Sequence, residues 1–442
     1  HFFDLIWSPV PHLPHCLRRP GQNMWRRIKE QGPAVAAWAM AGLWTALIWL
    51  VIPFARRLQA ALAETVGNGA GLAGAAGLGG LLGLGVLAWV WRRPRKHPVR
   101  KTAWLAALGV FSVWMFTAQL QSSVEVFHVF EYAILAFLLF RAWRRRVPDP
   151  LVYPIAALSV ALVSWGDEFL QWLMPGRFWD FRDIRLNVLA GAGMLVFIAK
   201  VMRPEDIRLP VARASVRWLC RLAWALLLAL GIASAGTPAR VDRLAQRIHF
   251  LQFLYNNESI LAEYGYRHVD PAVGTFYSRL ARPDLLQLDR ERGAAAGVAL
   301  SALPGLTDPR KFRETFPVSA DPFLHEAAAH LLRRDNYYAA AWQYQESDPP
   351  RFADHLAVAQ GENRILEKFF SQTLTAAGRQ WGSDRRAQSL RYAEKSMPYV
   401  SEVGDHLMVA CSARQLQGAL LALAAIFAGI YIRWGREKES QA

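Results

Sequence analysis

A group of ionisable and amide side chains lies within apolar sequence in one part of this chain. An ionisable group at the centre of a membrane costs about 2.5–3.5 kcal/mol, so such groups usually face a bundle interior or a polar cavity. Many of these residues are three or four positions apart, which puts them on shared helix faces and predicts one common site. The candidate site residues are His128, Glu131, Tyr132, Asp167, Glu168, Gln171, Arg177, Asp180, Asp183 and Asn187.

Three kinds of chemistry are open to this candidate site. The carboxylates can pair with arginine or histidine and only stabilise helix packing. Alternatively, Arg177 and the turn at Pro175-Gly176 bind the anionic headgroup of a lipid or a lipid-linked sugar. In the third interpretation, His128 or a carboxylate acts as a general acid or base. No nucleophile pair or metal motif accompanies them, so structural pairing ranks first and catalysis last.

The polar residues follow a pattern that points to a known family. The pattern is H-x-x-E-Y and, one helix later, D-E-x-x-Q-x-x-x-P-G-R-x-x-x-x-x-D-x-x-x-N. It resembles the VanZ-like membrane family over about residues 101–203. Ala190 stands where the family often has glycine, and we expect Gly191 and Gly193 to allow the same close packing. The resemblance implies a four-helix membrane core and a site rather than a particular reaction.

Long apolar runs predict an all-α polytopic membrane protein. A helix rises 1.5 Å per residue, so about 20 apolar residues cross a hydrocarbon core of about 30 Å. Eight runs reach this length. They lie at about 34–54, 66–91, 102–122, 126–143, 151–174, 184–202, 217–236 and 416–434.

These runs divide the chain into six predicted segments. The segments are an N-terminal tail at 1–33, a two-helix hairpin at 34–101, the VanZ-like core at 102–203, a basic segment with the seventh span at 204–236, a mostly helical domain at 237–415, and the last span with a tail at 416–442. Residues 1–23 lack periodicity and precede Met24, so we expect either an upstream extension or a cytoplasmic tail. Residues 265–320 are rich in Pro and Gly, which predicts irregular structure.

Charge predicts the orientation of the chain and argues against nucleic acid as a partner. With a cytoplasmic N-terminus, the inside segments hold 24 Lys and Arg residues, and the short outside loops hold five. The positive-inside rule then predicts that both termini are cytoplasmic. Residues 237–415 would be periplasmic in a bacterial inner membrane. They hold 22 basic and 21 acidic residues, so the net charge of +16 comes from the loops.

The second apolar run, at 66–91, is rich in small residues four positions apart. Small faces let membrane helices approach closely. The run therefore predicts packing inside this protein or a contact surface for another one. Its helix-contact residues include Gly67, Gly71, Gly74, Gly79 and Gly83.

The sequence predicts no metal and no cofactor. Cys16, Cys220 and Cys411 are far apart and form no CxxC motif. In the string HEAAAH, His325 and His330 are five positions apart, about 140° around a helix. Zinc sites of the HExxH type need the two histidines four positions apart. No phosphate-binding glycine loop or nucleophile elbow stands at a strand-to-helix junction.

Three functional interpretations remain open. The resemblance implies an envelope protein with a polar pocket in the outer leaflet that engages a lipid or a cell-wall precursor. The alternative is an accessory or scaffold subunit of a larger membrane protein complex, which docks through residues 237–415 and the glycine-rich helix. The third is a membrane-embedded hydrolase that acts on lipid phosphates. Membrane lipids are expected partners in every case.

Overall fold

The computed structural model describes residues 22–54, 98–120, 125–256, 260–300, 308–393 and 398–436. The longer apolar helices are α1 (Gln22–Val51), α2 (Pro98–Trp114), α3 (Glu125–Trp143), α4 (Val152–Trp172), α5 (Phe181–Phe197), α6 (Arg213–Ala235) and α14 (Ala413–Arg436). Short π-helical turns extend α2 to Gln119 and α5 to Met202.

Six of the described segments are long and apolar enough to cross a membrane, judged by length and composition. They are Gly32–Phe54, Val99–Gln119, Glu125–Trp143, Phe181–Met202, Arg213–Ala235 and Ala413–Trp434. The chain is therefore an all-α polytopic membrane protein, as the apolar runs predict. Helix α4 is not among these six segments. The apolar run at 66–91, with its helix-contact glycines, lies outside the described residues. The number of eight spans stays a prediction.

The chain divides into two compact units. The first comprises residues 1–163 and 185–219, and the second comprises residues 164–184 and 220–442. The boundaries fall within α4, α5 and α6, so the last turns of α4, the first turn of α5 and most of α6 belong with the second unit. The six-segment division stays a prediction.

Helices of the first unit pack through aromatic and small residues. The rings of Trp38 and Trp143 meet edge to face with centroids 5.0 Å apart. The indole of Trp44 in α1 donates a hydrogen bond to the main-chain oxygen of Glu131 at 3.0 Å. A Cβ atom at Gly191 would lie only 2.9 Å from Val160 Cγ1. Gly191 therefore allows the close helix packing that the sequence predicted.

Asp149 joins the loop between α3 and α4 to the segment that leads into α6. It is almost completely buried in the loop between α3 and α4. Its carboxylate accepts hydrogen bonds from the amide of Ala212 at 3.0 Å and from the hydroxyl of Ser215 at 2.5 Å. Since Ser215 lies in the first turn of α6, one buried carboxylate joins the start of α6 to the loop before α4.

The second unit contains a domain between α6 and α14, residues 237–412, which we call the inter-span domain. Its elements are α7 (Pro238–Arg247), β1 (Tyr266–Asp270), β2 (Gly274–Ser278), α8 (Arg282–Ala299), α9 (Pro309–Thr315), α10 (Pro322–Ala341), α11 (Pro349–Phe369), α12 (Ser371–Ala376) and α13 (Ser383–Ala393). Two further short 3-10 turns span His249–Leu254 and Trp342–Tyr344. The domain is mostly helical.

The prediction of irregular structure over 265–320 is wrong. Strands β1 and β2 form an antiparallel hairpin in which Tyr266 pairs with Ser278 and Asp270 pairs with Gly274. Gly274 has a φ of +101°, a conformation that favours glycine and lets the chain reverse here. Helix α8 follows with Pro283 in its first turn, where a missing N–H has no consequence. The Pro and Gly residues therefore start and turn regular elements.

The core of the inter-span domain joins the hairpin to helices α8, α10 and α11. Phe276, Phe323 and Phe369 are completely buried or nearly so. The rings of Phe276 and Phe369 lie 4.7 Å apart. Burial of each such ring contributes about 1.5–3 kcal/mol, so this cluster is the main stabilising feature of the domain.

Helices α8 and α12 are in direct backbone contact at Gly297. A Cβ atom there would lie 2.5 Å from Ala376 Cβ and 2.7 Å from both the Ala377 nitrogen and the Thr373 oxygen. Backbone atoms cannot move aside as the end of a side chain can. We therefore expect Gly297→Ala to lower the free energy of unfolding by about 1–3 kcal/mol, measured by thermal unfolding in detergent.

Gly382→Ala is the matched control for this substitution. A Cβ atom at Gly382 would meet nothing within 4 Å, so its melting temperature should stay close to that of the parent. Equal melting temperatures for the parent and the Gly297→Ala variant would contradict the close approach of α8 and α12.

Candidate functional site

The last turn of α4 carries polar side chains that are almost completely buried. Glu168 and Gln171 are three residues apart on one helix face, and Gln171 Nε2 donates to Glu168 Oε1 at 3.0 Å. Asp167 precedes them and is also buried. A buried carboxylate is costly unless hydrogen bonds satisfy it. The hydrogen-bond donors to the Glu168 carboxylate must therefore come from neighbouring side chains or from nearby backbone.

The segment after α4 supplies one hydrogen-bond donor to Glu168 and one to Gln171. Gly176 has a φ of +73°, which turns the chain back towards the helix end. The amide of Asp180 then donates to Glu168 Oε2 at 3.0 Å. The guanidinium of Arg177 donates to Gln171 Oε1. Glu168, Gln171, Arg177 and Asp180 thus form one connected group, which we call the α4 cluster.

Asp180 and Asp183 also have local roles at the start of α5. The Asp180 carboxylate accepts a hydrogen bond from the amide of Arg182 at 2.7 Å, which is the geometry of a helix N-cap. Arg182 lies 3.8 Å from Asp183 in a partly exposed ion pair, and pairs of this kind contribute little stability. These contacts favour the structural interpretation for the two aspartates.

The remaining candidates, His128, Glu131, Tyr132 and Asn187, belong to the first unit. His128 Nδ1 lies 3.5 Å from Glu131 Oε2 across one turn of α3, and both side chains are partly exposed. Tyr132 and Asn187 are buried. The structure thus places these four candidates in the first compact unit and the other six in the second. A single site that includes all ten residues stays a prediction.

Aromatic side chains accompany the α4 cluster on α4 and in the segment that follows it. Trp165 stacks on Phe169 at 4.9 Å and meets Trp179 edge to face at 5.9 Å. Trp172 and Trp179 are buried in an apolar cluster with Ala233, at the end of α6, and with residues of α7 and the following 3-10 turn. The end of α4, the end of α6 and the start of the inter-span domain are therefore packed together.

A second buried polar network lies in the inter-span domain, and no sequence pattern predicted it. The carboxylate of Glu362 in α11 is completely buried. It contacts His330 Nδ1 at 2.5 Å and accepts hydrogen bonds from the hydroxyls of Tyr399 at 2.6 Å and Ser401 at 2.7 Å. Arg333 lies 3.2 Å from the same carboxylate. We call these five residues the Glu362 network.

Electrostatics keep the Glu362 carboxylate charged. Burial raises its pKa, but the contact with His330 and the hydrogen bonds from Tyr399 and Ser401 outweigh burial and hold the pKa below its ordinary value. Burial and the nearby carboxylate raise the pKa of Tyr399, which stays a hydrogen-bond donor. The network therefore stabilises the contact between helices α10 and α11 and the segment at 399–402.

Glu263 forms a similar but separate network. It accepts a hydrogen bond from Arg279 Nε at 2.6 Å, and His406 Nε2 lies 3.0 Å from its other oxygen. Burial alone would raise its pKa, but these two partners lower the pKa of Glu263 to about 2. Arg279 also reaches Glu326 at 3.2 Å. These ionic contacts join the chain before β1, the end of β2 and helix α10.

The two histidines of the HEAAAH string contact different elements. His330 pairs with Glu362, whereas His325 Nδ1 lies 2.7 Å from the main-chain oxygen of Phe316. Burial lowers the pKa of His325 to about 4, so this ring is neutral at pH 7. Within the described ranges, no group of three or more His, Cys, Asp or Glu residues could hold a metal ion.

Comparison with known proteins supports the resemblance seen in the sequence. The family model described as VanZ/LLP1 matches residues 37–203, a range that contains both groups of candidate residues. The inter-span domain lies outside this match. No match was found among curated proteins or among solved structures.

The Glu362 network predicts a pH-dependent stability. A depressed carboxylate pKa contributes stability that is fully present above the ordinary value near 4.5 and is lost as pH falls through the lower, folded-state value. At pH 7 we expect Glu362→Gln to destabilise the inter-span domain by about 3–5 kcal/mol, because it removes the anionic partner of Arg333 and of the buried hydrogen-bond network around it. Below pH 4.5 this difference from the parent should shrink.

Thermal unfolding between pH 7 and pH 3.5 measures this effect. Glu346→Gln is the control, because Glu346 is exposed at the end of the turn after α10 and its removal should leave the pH profile unchanged. A Glu362→Gln profile parallel to that of the parent at every pH would show that the carboxylate is not charged in the folded protein.

Proposed function

We propose that this chain binds the anionic headgroup of a lipid or of a lipid-linked cell-wall precursor beside the α4 cluster, which lies in the part of the chain that matches the VanZ/LLP1 family model, residues 37–203. The protein lies in a bacterial inner membrane with both termini cytoplasmic. In this topology the α4 cluster is at the outer leaflet, and the inter-span domain is periplasmic. The distribution of basic loop residues supports this orientation.

The observation that carries the proposal is the linear connection from Glu168 through Gln171 to Arg177. The Gln171 amide donates to the Glu168 carboxylate and accepts from the Arg177 guanidinium. An amide in this position sets the side-chain orientation of the arginine, because its NH₂ group is directed to Glu168. Arg177 is partly exposed, and the bond to Gln171 orients its guanidinium.

An oriented guanidinium suits an anionic oxygen ligand. Arginine has five N–H donors in a planar fork that matches phosphate and carboxylate groups in pairs. Pre-orientation lowers the conformational entropy lost on binding, about 0.5–1.5 kcal/mol for a long side chain. Phe178, the next residue, is more than half exposed and supplies an apolar surface for the part of a lipid nearest its headgroup.

Glu168 acts as a positioning residue in this proposal. Both of its oxygens accept hydrogen bonds, one from Gln171 and one from the Asp180 amide. These bonds hold the last turn of α4 to the segment that carries Arg177. The carboxylate therefore determines where the arginine lies and does not itself bind the headgroup.

Native mass spectrometry of the full chain, extracted gently from its own membrane, tests this function. We expect the parent to retain one lipid of defined mass and Arg177→Ala to lose it. Arg290→Ala is the control, because Arg290 is an exposed arginine on α8 whose removal should leave the lipid in place. Equal retention in the two variants would contradict the proposal.

The same spectra also test the alternative role. A large assembly of fixed stoichiometry without a retained lipid would favour a scaffold subunit. Loss of the lipid in Gln171→Leu as well as in Arg177→Ala would establish that the amide orients the arginine, because leucine keeps the volume but neither hydrogen bond. Retention in Gln171→Leu would contradict the positioning role.

A further inference from the structure

Helix α7 begins where a membrane-type helix ends. Only Gly236 and Thr237 separate it from the end of α6 at Ala235. A Cβ atom at Gly236 would lie 2.6 Å from Leu261, so the turn is tightly packed. The Tyr264 hydroxyl donates to the main-chain oxygen of Ser234 at 2.9 Å. These contacts hold α7 at the level of the end of α6.

One face of α7 packs into the apolar cluster that includes the ends of α4 and α6. Val241 and Ala245 are buried in the apolar cluster that contains Trp172 from the end of α4 and Ala233 from the end of α6. Asp242 is also buried, and its carboxylate accepts a hydrogen bond from the amide of Asn256 at 2.9 Å. The ends of α4 and α6 therefore both hold α7 in place beside the end of the α6 span.

The opposite face of α7 is exposed and cationic. Arg240, Arg243 and Arg247 are spaced i, i+3 and i+7, so they form one stripe, and all three are exposed. Asp242 is the one acidic residue between 238 and 256, and it faces inward. The guanidiniums of Arg240 and Arg243 contact only main-chain oxygens of their own segment among the described hydrogen bonds.

Large apolar side chains accompany these arginines. Leu244 lies within the stripe and is 39% exposed, and Phe250 in the following 3-10 turn is 69% exposed. Exposed aromatic residues beside a membrane helix are typical of the bilayer interface, where the ring reaches the acyl boundary. Arginines beside them would then meet the phosphate layer.

We propose that the exposed face of α7 and Phe250 form an interfacial anchor that binds the anionic phospholipid surface of the membrane that α6 crosses. Arginine matches lipid phosphates in charge and geometry, and each basic residue near an anionic surface changes binding on the order of fivefold. This anchor is distinct from the α4 cluster. It acts on bulk anionic lipid, and it holds the inter-span domain at a defined distance from the bilayer.

Hydrogen–deuterium exchange of the full chain in nanodiscs tests the anchor. Discs of phosphatidylcholine alone are compared with discs that also contain phosphatidylglycerol. We expect peptides over 238–254 to exchange more slowly in the anionic discs, by on the order of fivefold or more. High salt should remove this difference, because exposed charges are screened. Equal exchange in the two discs would overturn the proposal.

A triple substitution of Arg240, Arg243 and Arg247 to Gln should abolish the lipid-dependent protection. The matched control replaces Arg290, Arg310 and Lys311 with Gln, three exposed cations elsewhere in the same domain. Retained protection in the first triple variant, or lost protection in the control, would overturn the proposal. Unchanged exchange in the β1–β2 hairpin reports that each variant is folded. Arg177→Ala should leave the effect intact, which separates this anchor from the proposed headgroup site.

Discussion

Burial of the Glu168 carboxylate is the constraint on which the rest of the α4 cluster depends. Its two oxygens are satisfied by a side chain one turn later and by the backbone amide of Asp180. The second bond requires the chain to turn back at Gly176. That turn brings Arg177 to Gln171 and lets Asp180 cap α5. One desolvated carboxylate thereby determines a helix end, a turn and the next helix start.

Buried carboxylates that need hydrogen-bond partners also connect the elements of the inter-span domain. Glu362 joins α11 to α10 and to the chain at 399–402, and Glu263 joins the chain before β1 to Arg279 and His406. Asp289 in α8 accepts bonds from the amides of Gln372 and Thr373 and so caps α12. Removing one partner from such a group is destabilising because the other charge stays buried. Each of these carboxylates selects which residues of two neighbouring elements lie opposite each other, which apolar packing alone does not specify.

The apolar cluster at the ends of α4 and α6 connects the membrane part of the second unit to its inter-span domain. Trp172, Trp179 and Leu251 bury large surfaces there, and each contributes roughly 1.5–3 kcal/mol. The cluster also determines which face of α7 is covered. Because the covered face holds the acidic residue and the exposed face holds the arginines, packing at this point sets the charge presented at the membrane boundary.

The sequence by itself determined the membrane-helix architecture, the resemblance of residues 37–203 to the VanZ family and the spacing of the polar residues. Apolar runs and i, i+3 patterns are local properties of the chain, so the described spans and the pairing of Glu168 with Gln171 could be inferred from them. Only the tertiary structure decided that a backbone amide satisfies Glu168, that His330 pairs with Glu362, and that residues 266–278 form a hairpin. Those partners lie 12, 32 and up to 12 residues apart. No local pattern specifies the partners of Glu168 and Glu362, because the free energy that selects each of them comes from burial in the completed fold. In the hairpin, the Pro and Gly residues that predicted irregular structure instead form the turn.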